Sequence, residues 1–92
     1  MLGQRIQELR SSCGWSQVET AKRLQVTKQT VSNWENDNIQ PSVDMLIRLS
    51  QLFNVSTDYL LGMEDIPRLS TEGLPSSVVA HLSLLIDDYR SK

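Results

Sequence analysis

Sulfur and imidazole are scarce in this chain, which holds one cysteine (Cys13) and one histidine (His81) in 92 residues. A single thiol excludes an internal disulfide and suits a reducing compartment, so a cytoplasmic location is expected. One cysteine and one histidine cannot assemble a zinc site, and neither a metal nor a cofactor is expected. Aromatic side chains make up only 5% of the residues. Trp15 and Trp34 are therefore read as core anchors rather than as platforms for stacking bases. No apolar run reaches the roughly 20 residues of a membrane span. The opening residues also lack the basic, apolar and small segments of a secretion signal. Glycine-rich phosphate loops and Ser/His/Asp or Cys/His constellations are missing as well, so no enzymatic role is expected.

What remains is ordinary for a small folded domain: 39% hydrophobic and 22% charged residues. The net charge of −2 is unevenly spread. Residues 1–36 carry Arg5, Arg10, Lys22, Arg23 and Lys28 against Glu8, Glu19 and Glu35, whereas residues 37–92 hold four basic side chains against eight acidic ones. A locally positive face on an acidic chain can still neutralise phosphates, because screening confines each charge to about 10 Å.

Apolar residues recur at helical spacing and alternation is absent, so the expected class is all-α. A first helix spans about Leu2 to Ser12, carried by Leu2, Ile6 and Leu9 and closed near Gly14. A second follows its cap Ser16, with Glu19 completing a capping box, and a third follows its cap Thr27. The fourth begins after Pro41-Ser42 with Asp44 in its first turn, and is expected to bury Leu46, Ile47, Leu49, Leu52 and Phe53. A short fifth, capped by Ser56, runs through Tyr59, Leu60 and Leu61 to Gly62. Residues 63–75 read as a linker and 76–92 as an additional amphipathic helix.

Residues 17–34 (QVETAKRLQVTKQTVSNW) are the most informative stretch. Ala21 is the small residue that lets two short helices cross closely. Val18, Leu24, Val26, Val31 and Trp34 form the expected apolar seam between them. Lys28, Gln29, Thr30, Ser32 and Asn33 are left facing outward from the second of the pair. Long polar side chains on a helix braced from behind are what reading the edges of bases in a major groove requires. The stretch therefore points to double-stranded DNA as a partner.

Several blocks together resemble the lambda-repressor-like, or Xre-type, helix-turn-helix family: WSQVETA, VTKQTVSNWEN, PSVDML and VSTDYLLG. The resemblance covers about Leu2 to Gly62 and implies a five-helix domain, 1–62, whose third helix enters the major groove. By position it implies base reading by Lys28, Gln29, Thr30 and Asn33, and phosphate contacts from Gln17, Ser32, Asn36 and Arg10. Lys28 would suit guanine, while Gln29 and Asn33 have the amide geometry for adenine. It also implies an Arg10–Glu35 pair tying the first helix to the third, with Ala21, Val31 and Trp34 as structural supports. Two positions depart from the family pattern. Gln25 replaces the usual turn glycine, where positive φ costs roughly 1 kcal/mol, and Asp37-Asn38-Ile39 replaces a glycine followed by basic residues.

The terminal helix bears Val78, Leu82, Leu85, Ile86 and Tyr89 on one side, expected as a homodimer contact. A two-fold pair suits a pseudo-palindromic operator. The expected function is a sequence-specific transcriptional regulator, a dimeric repressor. The alternative is an antitoxin-like protein-interaction module that takes a protein partner through the terminal segment and binds DNA secondarily.

Overall fold

The computed structural model describes residues 2–64 and 72–91, and every regular element among them is helical. The helices are α1 (Leu2–Ser12), α2 (Gln17–Leu24), α3 (Lys28–Glu35), α4 (Val43–Phe53), α5 (Thr57–Leu60) and α6 (Ser76–Arg90). Helix α3 packs against α1 and α2, while α4 meets α2 and α5, and α5 returns to α1. Their shared core is Ile6, Ala21, Leu24, Val31, Trp34, Leu49, Phe53 and Leu60, with Leu2, Leu9, Trp15, Val26, Met45, Leu46, Leu52 and Val55 packed around it.

Local chemistry explains where each helix starts. The hydroxyls of Ser16, Thr27, Ser42 and Ser56 accept from the backbone amides of Glu19, Thr30, Met45 and Tyr59, so α2 to α5 each begin on a capped turn. Helix α2 has only half of the expected capping box. The Glu19 carboxylate runs along the helix to Arg23 Nε at 3.1 Å, one turn onward, instead of back to Ser16. Gln25 (φ 59°), Asp37 (φ 57°) and Asn54 (φ 54°) adopt the left-handed conformation after α2, α3 and α4.

Two expected core residues lie outside the core. Val18 is 45% exposed and Ile47 is 43% exposed. At 100° per residue, Val18 is turned about 110° from the side of α2 that buries Thr20, Ala21 and Leu24, and Ile47 points almost directly away from the side carrying Leu49 and Phe53. Thr20 is fully buried, its hydroxyl donating to the Ser16 carbonyl at 3.0 Å. That back-bond lets a polar residue sit in the seam without an orphaned group.

Beyond Gly62 the chain remains fastened to the domain through Glu64. Met63 N–H donates to the Asp58 carbonyl at 2.8 Å, and Ser56 Oγ donates to Glu64 Oε2 at 2.9 Å. Arg5 lies over the Tyr59 ring at 4.1 Å and donates through Nη1 to the carbonyls of Tyr59 (2.7 Å) and Glu64 (3.1 Å). Most of the expected linker, residues 65–71, lies outside the described residues. Helix α6 starts at the expected Ser76 and ends at Arg90, but Pro75 gives it no side-chain cap and none of its residues is buried.

Candidate nucleic-acid interface

The α2–turn–α3 unit is held from behind by three connections. Val31 and Trp34 are buried beneath α3. Arg10, from α1, forms a two-pronged pair with Glu35, with Nε to Oε2 at 2.6 Å and Nη2 to Oε1 at 3.1 Å. Gln17 Nε2 donates to the same Oε1 at 3.1 Å, which links the start of α2 to the end of α3. Glu35 is 7% exposed, and in that setting a two-pronged, three-donor arrangement compensates the desolvation of its charge. The third Arg10 nitrogen, Nη1, donates to the Trp15 carbonyl at 2.8 Å. The Trp15 ring in turn stacks on Phe53 (centroids 6.0 Å apart) and carries the Arg23 guanidinium at 4.1 Å.

Besides the buried side chains and the Glu35 hub, the third connection is the close backbone approach of α1 to α3. A side chain at Gly3 would collide with the Trp34 carbonyl, and would lie 2.6 Å from the Glu35 carbonyl and 2.7 Å from Asp37 Oδ1. Only glycine lets the two helices come this close. Asp37 turns this approach to use, as its Oδ1 accepts from the Gly3 amide at 3.1 Å, at the N-terminal turn of α1. The departure of Asp37 from the family glycine therefore has a structural role: the strain of its positive φ is set against a charged acceptor at a helix start.

The outward side of α3 is polar. Lys28 and Gln29 are exposed, and Thr30, Ser32 and Asn33 are half-buried. Thr30 Oγ1 is 2.8 Å from Thr27 Oγ1 at the start of the helix. Gln29 Nε2 donates to Asn33 Oδ1 at 3.1 Å, and Asn36 Nδ2 donates to the Ser32 carbonyl at 3.0 Å and to its Oγ at 3.3 Å. Lys28, Gln29, Asn33 and Asn36 are thus brought to one continuous polar surface. Arg10 and Gln17 are not part of it, since both side chains are committed to Glu35.

The family profile for helix-turn-helix proteins matches residues 6–60. The chain belongs to the helix-turn-helix family. Its relatives include the HTH-type transcriptional regulator ImmR of Bacillus subtilis, 38% identical over 78 residues and 85% of this chain. The chain spans 61% of that relative's length. Among solved structures, the P22 c2 repressor in complex with a synthetic operator matches with TM-score 0.63 and 30% identity, over 65% of this chain and 91% of the repressor. A SinR protein/SinI protein complex matches with TM-score 0.63 and 25% identity over the full length of both chains.

Proposed function

We propose that this helix-turn-helix chain is a sequence-specific DNA-binding transcriptional regulator that acts as a homodimer and represses by occupying promoter DNA. The observation that carries the reading is the outward side of α3. It presents Lys28, Gln29 and Asn33 on a helix whose opposite side is locked by Val31, Trp34 and the Arg10–Glu35 pair. A rigid polar ridge of this kind suits insertion into a major groove, where phosphate contacts set the register and base contacts specify sequence. Ser32, Asn36 and the free amides at the start of α2 beside Gln17 are suited to phosphates. Arg10 serves as the brace behind the ridge. The P22 c2 repressor, solved with its operator, supports the reading over the domain it shares with this chain.

Two copies joined through the side of α6 that carries Val78, Leu82, Leu85, Ile86 and Tyr89 would present two such ridges to a pseudo-palindromic site. Selection from random duplex DNA at a fixed salt of ~100 mM tests the whole reading, since affinity depends steeply on salt. A palindrome enriched by the native chain and lost by Lys28→Ala/Gln29→Ala supports it. Failure to enrich any motif removes it. A second reading, a protein partner taken through the terminal segment, is favoured by the match to the SinR/SinI complex, which extends over α6.

A further inference from the structure

Gln29 and Asn33 stand one turn apart on the outward side of α3, joined by the bond from Gln29 Nε2 to Asn33 Oδ1 at 3.1 Å. We infer that the two form a single reading unit for an adenine edge, in which Gln29 makes the base contact and Asn33 is a positioning residue. The inference rests on the reading of α3 as the helix that enters the groove.

A glutamine amide carries one acceptor oxygen and two N–H donors. With one donor spent on Asn33, Oε1 and the remaining N–H are left as an acceptor and a donor side by side. Adenine offers the complement in the major groove, an N6 donor beside the N7 acceptor. Guanine offers two acceptors, thymine an acceptor and a methyl group, and cytosine a donor alone, so none of these satisfies both ends of the amide.

The role of Asn33 follows from the polarity of its Oδ1. An acceptor there attracts Nε2 and repels Oε1, so it decides which end of the Gln29 amide is nitrogen and which is oxygen. Without it the amide is free to turn over and present its groups in the wrong order. Such a pair is weak in water and strengthens as the groove excludes solvent. Side-chain freedom is also given up before the groove is entered, which favours the correct contact by preorganisation. With Oδ1 directed along the helix, Asn33 does not act as the second independent adenine reader that its position alone suggests. The nearby polar groups of Thr30 and Asn36 are engaged elsewhere, Thr30 Oγ1 with Thr27 Oγ1 and Asn36 Nδ2 with Ser32.

The experiment uses the half-site recovered by selection, with each adenine replaced in turn by 7-deazaadenine, which lacks the N7 acceptor. The native chain, Gln29→Ala, Asn33→Ala and Asn33→Asp are compared by competition binding. Both positions lie on the outer side of the helix and alanine is a good helix former, so the variants fold. The native chain is expected to lose about tenfold at one adenine, and Gln29→Ala to lose nothing there. Asn33→Ala should cut that same penalty to about twofold without releasing any other position, and Asn33→Asp, which keeps an acceptor for Nε2, should preserve it. If Asn33→Ala leaves the tenfold penalty intact and abolishes a penalty at a different base pair, the residues read independently and the inference falls. A recovered palindrome with no adenine sensitive to 7-deaza substitution also overturns it, while leaving the regulator reading in place.

Discussion

The five-helix domain and α6 are both helical, yet they are stabilised in opposite ways. In the domain, α2 to α5 each start on a hydroxyl cap, the α1 N-terminus receives Asp37, and every helix buries at least one residue. Helix α6 is the longest of the six, has no side-chain cap and buries nothing, with Leu85 at 65% and Tyr89 at 81% exposure. Isolated helices of about 15 residues are marginal in water. The domain carries the means of its own stability within residues 2–64, whereas α6 depends on whatever covers its apolar side. On the proposed function this contrast fits the two tasks, since a reading surface has to be rigid before its ligand arrives and an association surface does not.

Truncation of the core separates the two regions most strongly. Leu49→Ala is expected to lower the urea-unfolding free energy of the domain by about 2–5 kcal/mol, because Leu49 is fully buried and its removal leaves a cavity. A loss below 1 kcal/mol would mean that the core is less closely packed than its burial indicates. Next comes Gly3→Ala, which forces a methyl group against the backbone of Trp34 and Glu35 and should cost about 1–3 kcal/mol. If thermal unfolding shows no change, α1 and α3 have room to separate and the close approach is not a constraint. The smallest effect on the domain belongs to Leu85→Asp, expected to change its unfolding by no more than ~0.5 kcal/mol. Sedimentation at micromolar concentration should nevertheless show that this variant loses the dimer proposed for the native chain. A dimeric Leu85→Asp protein would take α6 out of the self-association interface.

Features that depend on neighbours in sequence were legible without a structure. The caps at Ser16, Thr27 and Ser56 were readable because a hydroxyl three residues ahead of an amide is a local pattern, whereas the positive φ at Gln25 was expected only from the family's usual glycine there. The Arg10–Glu35 pair came from the resemblance to the family. Contacts between distant parts of the chain gave no such signal. Gly3 looks like an ordinary residue in a first helical turn until α3 is laid across it. Asp37 looked only like a lost basic contact until its carboxylate met the Gly3 amide. Val18 and Ile47 were assigned to the core by residue type, but helix orientation decides burial, and both had rotated out. On α3, residue type and position indicated which side chains face outward, but the Gln29–Asn33 bond depends on rotamers that the letters do not encode.

The clasp of Arg5 on Tyr59 and Glu64 bears on how the chain reaches its native state. It joins residues 54 and 59 positions apart, across nearly the whole of the domain. Contacts of such long range require loop closure before they contribute any stability. Helix α1 is therefore fastened in two stages of different range, to α3 through Arg10–Glu35 and Gly3–Asp37 over 25 and 34 positions, and to α5 and Glu64 only after the longest loops of the domain have closed.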